Sequence, residues 1–141
     1  MATDPRKRRY VDHYKGERKQ NHRTPRDFFE KLDLRYGFTL DGAAAKSNTL
    51  LPRFSSYHKR LTWRGERVFC NPPWSNIAPF VELAATAELA VLLIPSRTNC
   101  GWFHRALELG AVPDYWQGKL NFGCKWNSPT DCLLLIWESG R

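Results

Sequence analysis

Apolar residues recur along this chain in two rhythms, and the switches between them predict alternating helices and strands. Phe28, Phe29, Leu32 and Tyr36 are spaced as on one helix face. Thr24 can cap that helix, Pro25 suits its first helical position, and Gly37 ends it. A short strand is predicted over 38–41, followed by a weakly patterned stretch up to Trp63 that carries Arg53, Lys59 and Arg60. The next strand is 67–70. Ser75 or Asn76 then offers a cap for a helix with Pro79 in its first turn and Phe80, Val81, Leu83, Ala84 and Ala87 behind it. The continuous apolar run 89–94 reads as a buried strand, and 102–109 as a helix closed by Gly110. Strands at 112–116 and 132–137 have no helix between them and should run antiparallel, whereas the earlier strands, separated by helices, should pair in parallel.

The pattern therefore predicts a small α/β sheet, mostly parallel, with an antiparallel C-terminal strand. Open α/β sheets bind ligands at the carboxyl ends of their strands. Asp41 and Asn71 both end predicted strands there.

Composition narrows the class. A chain of 141 residues suits one folded domain, predicted over 24–141, able to bury about two-thirds of its unfolded surface. No apolar run approaches the roughly 20 residues of a membrane span. Met1 leads into Arg6-Lys7-Arg8-Arg9 with no apolar segment behind it, so a cytoplasmic protein without a secretory signal is expected. Cys70, Cys100, Cys124 and Cys132 are too scattered for a zinc knuckle or a disulfide framework, and Cys70 reads as packing. No metal is expected.

Charge is concentrated at one end. Residues 1–23 hold eight Lys or Arg against Asp4, Asp12 and Glu17, which is +5 of the chain's +8. Such a segment has too little apolar surface to fold alone and is suited to a phosphate backbone, so a flexible basic tail with DNA as partner is expected. A solvated terminus without a partner is the plainer alternative.

The most specific chemistry lies in Asn71-Pro72-Pro73-Trp74, directly behind the apolar Val68-Phe69-Cys70. An aromatic amine is a poor nucleophile because its lone pair is delocalised into the ring, so an enzyme that alkylates it must hold both amine hydrogens away from that arrangement. The Asn71 side-chain oxygen and the Pro72 carbonyl can accept one hydrogen each, since proline loses its N–H and keeps its C=O. Trp74 is suited to stack on a base flipped from its duplex.

Around this motif stand Thr24-Pro25 before Phe28-Phe29, then Gly37-Phe38-Thr39-Leu40-Asp41 with Ala43-Ala44-Ala45 and Asn48. Leu93-Ile94-Pro95-Ser96-Arg97-Thr98, Trp102-Phe103-His104 and Gly118-Lys119-Leu120-Asn121-Phe122 follow. In these blocks the chain resembles the compact phage-type DNA N-6-adenine methyltransferases. The resemblance implies a small Rossmann-like methyltransferase fold, S-adenosylmethionine as donor, and in-line transfer to the exocyclic amine of adenine in DNA. It implies that Asp41, Thr24, Pro25 and Asn48 contact the donor, that Asn71, Pro72, Pro73 and Trp74 are catalytic, and that Trp74, Arg97, Thr98 and Lys119 contact the substrate. It also implies a role such as evading host restriction, in a host cytoplasm.

Several residues keep a second reading. Asp41 could be a turn or helix-capping aspartate, and Thr24 a simple cap. Arg97 and Thr98 could touch donor, base or phosphate, while His104 suits a structural place on an apolar helix. Two features depart from the family pattern. Gly42-Ala43-Ala44-Ala45 holds one glycine where many methyltransferases have a glycine-rich turn, and Trp74 replaces the more usual tyrosine or phenylalanine. A cytosine amine, a protein glutamine amide, or DNA binding without catalysis are the competing expectations.

Overall fold

The computed structural model describes residues 24–56, 62–116 and 131–139. The expected basic tail at 1–23 and Lys119 lie outside the described residues, as do Lys59, Arg60 and Cys124. The elements are α1 (Arg26–Tyr36), β1 (Leu40–Asp41), β2 (Arg67–Cys70), α2 (Ala78–Ala84), β3 (Leu89–Pro95), α3 (Gly101–Glu108), β4 (Val112–Asp114) and β5 (Cys132–Glu138). They build a mixed α/β structure around a five-stranded sheet of order β1-β2-β3-β5-β4. β1, β2 and β3 run parallel, and β5 lies antiparallel between β3 and β4.

Local chemistry explains most boundaries. α1 stops because Gly37 takes a left-handed conformation at φ 63°, its N–H donating to the Asp33 carbonyl. The Asp33 side chain then accepts the Phe38 N–H at 2.8 Å and turns the chain towards β1. At the other end, Pro25 occupies the cap position with ψ 131° and its carbonyl accepts the Phe29 N–H. Thr24 does not cap the helix, contrary to expectation, and the helix starts one residue later than Pro25. α2 likewise is not capped by Ser75 or Asn76; Ile77 holds that position, with Pro79 in the first turn. A proline there sacrifices no hydrogen bond, because the first N–H groups of a helix have no partner in the helix.

Alternation along β2 distributes its side chains to two faces. Phe69 meets the rings of Phe29 at 5.3 Å and Phe38 at 5.6 Å, so α1 covers that face. Val68 points to the opposite face, where the wholly buried Trp63 lies 6.3 Å from Phe80 of α2. α3 packs beside α2, joined at the surface by Arg105 and Glu82 at 2.8 Å. With helices on both faces, a central strand has no polar side to spare. β3 is accordingly buried at every position, which is why its sequence reads as an unbroken apolar run. Each large side chain buried there contributes about 1.5–3 kcal/mol. Among the described residues no helix is long and apolar enough to cross a membrane.

Candidate functional site at the strand ends

The parallel register sets the site. Asp41 pairs with Phe69, and β2 continues one residue further to Cys70, so Asp41 and Asn71 close neighbouring strands at the same sheet edge. The thiol of Cys70 feels this proximity. Its pKa is pushed well above the ordinary value, first by complete burial and then by the negative charge of Asp41. A thiol so held is inert packing, as its sequence position suggests.

Asp41 is 4% exposed, although a carboxylate in that setting is costly. Two backbone donors compensate in part: the Leu50 N–H reaches Oδ2 at 3.1 Å and the Ala43 N–H reaches Oδ1 at 3.4 Å. Burial outweighs both and raises the pKa above the usual carboxylate value. The backbone of Asp41 is also occupied, its N–H donating to Arg53 and its carbonyl accepting from Ser55. This extra strand-like segment beside β1 lies in the weakly patterned stretch and carries no periodicity that would have revealed it.

Gly42 shows why the turn after β1 needs no run of glycines to be tight. A Cβ there would sit 2.7 Å from Cζ2 of Trp63 and 2.9 Å from Cγ1 of Val68. The indole of Trp63 thus rests on the glycine backbone and presses the Asp41 turn against β2. Trp63 is a site-shaping residue that periodicity missed; the only signal was a tryptophan at the end of a stretch whose apolar residues follow neither a helical nor a strand rhythm.

Asn48 is exposed, and its side-chain oxygen accepts the Ala45 N–H at 2.7 Å, closing the turn that follows Ala43 and Ala44. Its ordered place is therefore in the loop whose Leu50 N–H holds Asp41.

Asn71 meets a residue 47 positions away in the chain. Its Nδ2 donates to the hydroxyl oxygen of Thr24 at 3.3 Å. The hydroxyl expected to cap α1 is spent on the motif asparagine instead, and Thr24 is buried in doing so. Behind Asn71, Pro72 is buried and Pro73 partly so. Trp74 is 5% exposed, and its Nε1 donates to the Leu93 carbonyl at 3.3 Å. Leu93 lies one residue beyond the last β2–β3 pair, Cys70 with Leu92. Two prolines cannot donate to β3 from this stretch of chain, and the indole supplies the donor that the sheet edge would otherwise lack.

Arg97 and Thr98 follow the same end of β3, Arg97 half-buried and Thr98 exposed. Burial lowers the pKa of Arg97 from its ordinary value, and the Arg97 N–H folds back onto the Pro95 carbonyl. His104 is exposed on α3, with its ring against Phe103. The structure thus gathers Thr24, Asp41, Asn71 and Trp74 around two adjacent strand ends and places Arg97 and Thr98 along the same edge. Among the described residues no cluster of His, Cys, Asp or Glu is placed to hold a metal ion.

Comparison with known proteins agrees with the motif. The family model described as DNA N-6-adenine-methyltransferase (Dam) matches residues 12–125, which include Thr24, Asp41 and the whole Asn71 motif. No curated protein matches the chain. No solved structure matches it. With 12–125 of its 141 residues accounted for in this way, the chain belongs to the DNA N-6-adenine-methyltransferase (Dam) family.

Proposed function

We propose that this protein transfers a methyl group from S-adenosylmethionine to the exocyclic amine of adenine in DNA. The observation that carries the reading is the register of β1 and β2, which brings the Asp41 turn and the Asn71 motif to one edge. A donor site and an acceptor site must be contiguous for direct transfer, because proximity and orientation supply most of the acceleration.

The residues present suit the donor. Asp41 is a buried carboxylate that accepts two backbone N–H groups. Two carboxylate oxygens can accept about four hydrogen bonds, and the vicinal hydroxyls of a ribose are donors of matching geometry. Asp41 would hold the ribose or amine of the donor, Thr24 and Pro25 would meet its methionine end, and Asn48 would order the intervening loop. Bound there, S-adenosylmethionine supplies an activated methyl group, so the protein needs no covalent intermediate.

On the acceptor side, the Asn71 oxygen and the Pro72 carbonyl accept the two amine hydrogens and leave the nitrogen lone pair directed at the donor. Trp74 stacks on the base. Its ring is already fixed by Leu93, and with 5% of its surface exposed it must be uncovered further as the base arrives. Arg97, Thr98, Lys119 and the basic segment 1–23 contact the phosphate backbone, which positions the enzyme without reading sequence. A target of weak or very short specificity follows from this arrangement.

The test is incubation of purified protein with labelled S-adenosylmethionine and unmethylated duplex DNA, followed by nucleoside analysis. N-6-methyladenine is the expected product. Label in cytosine would reassign the acceptor, and a folded protein that neither binds the donor nor transfers label would leave a DNA-binding protein without catalysis.

A further inference from the structure

We propose that Thr24 is a positioning residue for Asn71, a role beyond the donor contact that its place at the strand ends suggests. The inference rests on the methyl-transfer reading of the same site. A carboxamide has two ends of opposite hydrogen-bonding character, and only its oxygen can receive an amine hydrogen. Asparagine also rotates freely about its last side-chain bond, and its amide terminus has only broad intrinsic preferences. Something outside the residue must therefore hold the amide in place.

Thr24 supplies one such hold. Its hydroxyl oxygen takes the Nδ2 end of Asn71 at 3.3 Å, which turns the oxygen end to the other side of the amide. The arrangement is built rather than incidental. Thr24 is 8% exposed, and Pro25 fixes the backbone immediately behind it before α1 begins. The ordinary use of a threonine in front of a helix is to cap it, and α1 has no side-chain cap hydrogen bond. That threonine is instead committed to an amide 47 residues away. Asn71 in turn is fixed from the other side, since the strand that precedes it is locked to β3 and Trp74 beyond it is tied to Leu93.

The position of Thr24 gives it a second consequence. It lies where the methionine end of the donor is proposed to sit, so one side chain would touch the donor pocket and orient the acceptor group. A purely donor-binding threonine and a positioning threonine predict different kinetics. Loss of a donor contact raises the donor KM and spares the rate at saturation; loss of positioning lowers that rate and spares donor affinity.

The experiment compares the wild-type protein with Thr24→Val and Thr24→Ser. Valine keeps the shape and loses the hydroxyl, while serine keeps the hydroxyl. Thermal unfolding verifies that each variant is folded, and the side-chain amide resonances of Asn71 report on its hydrogen bond independently of activity. The expected result is a single-turnover rate at saturating donor about ten- to a hundredfold lower in Thr24→Val, a donor dissociation constant within about threefold of wild type, shifted Asn71 amide resonances, and recovery of most of the rate in Thr24→Ser. A raised donor KM with an unchanged saturated rate would overturn the positioning role and leave methyl transfer standing. An unchanged rate with unchanged Asn71 resonances would overturn it equally. Absence of adenine methylation by the wild-type protein would overturn both readings.

Discussion

Trp74 donates from its indole Nε1 to the main-chain carbonyl of Leu93 at 3.3 Å, which makes it a strut between the proline motif and the central strand. Phenylalanine at this position would keep an aromatic ring and lose the donor. The Leu93 carbonyl, inside a fully buried strand, would then be left without that partner. An orphaned buried acceptor costs about 1–3 kcal/mol. Trp74→Phe should therefore lower the unfolding free energy by about that amount, measured by urea denaturation. An unchanged midpoint would show that the bond is not a support of the motif.

Gly42→Ala should be destabilising although alanine is normally the safer residue. The added Cβ would meet Trp63 at 2.7 Å and Val68 at 2.9 Å, and neither side chain is exposed. Overpacking of this kind costs about 1–3 kcal/mol. Because the displaced backbone carries Asp41, donor affinity should fall together with the melting temperature. Thermal melts and donor titration of the same variant test both statements.

Asp41 should be a liability for the free protein at neutral pH. Burial raises the pKa of its carboxyl above the ordinary carboxylate value. A raised pKa means that the folded state holds its proton more tightly than the unfolded state. The resulting stabilisation is complete below the unfolded value and is lost as pH rises through the folded one. Asp41→Asn removes the titration. The variant should be relatively more stable than wild type as pH climbs from about 4 towards neutrality, while its affinity for the donor falls. Melting curves of the two proteins across that range should diverge; parallel curves would contradict the assignment.

Cys70 should be unreactive in the native state. It is wholly buried and its thiol pKa lies well above the ordinary value, so the thiolate that alkylating reagents attack is scarce. Cys100 and Cys132 are partly exposed. Iodoacetamide labelling followed by peptide mapping should modify those two before Cys70, which should react only after denaturation. Early labelling of Cys70 would place it nearer the solvent than the packing described here.

Much of this architecture was legible in the order of residues. The apolar run of β3, the helix stop at Gly37 and the antiparallel pairing of β4 with β5 follow from periodicity, a left-handed glycine and a missing crossover. The motif at Asn71 was visible because its chemistry needs particular residues in a row. What escaped were pairings between distant segments that have no rhythm of their own. Trp63 on Gly42 and the Arg53 and Ser55 bonds to Asp41 belong to this class. Thr24 is the instructive case. Local rules assign its hydroxyl to the nearest helix, and the tertiary structure gives it to Asn71. The expected strands at 38–41 and 112–116 also shortened to Leu40–Asp41 and Val112–Asp114, because pairing partners rather than apolar content decide where a strand ends.

The most direct measurement of the central claim is methyl transfer to unmethylated duplex DNA by wild-type protein and Asn71→Ala, with S-adenosylmethionine binding measured in parallel. The expected outcome is N-6-methyladenine from the wild type, its loss in the variant, and donor affinity retained in both. Transfer that survives the substitution, or donor binding lost from a folded Asn71→Ala protein, would contradict it.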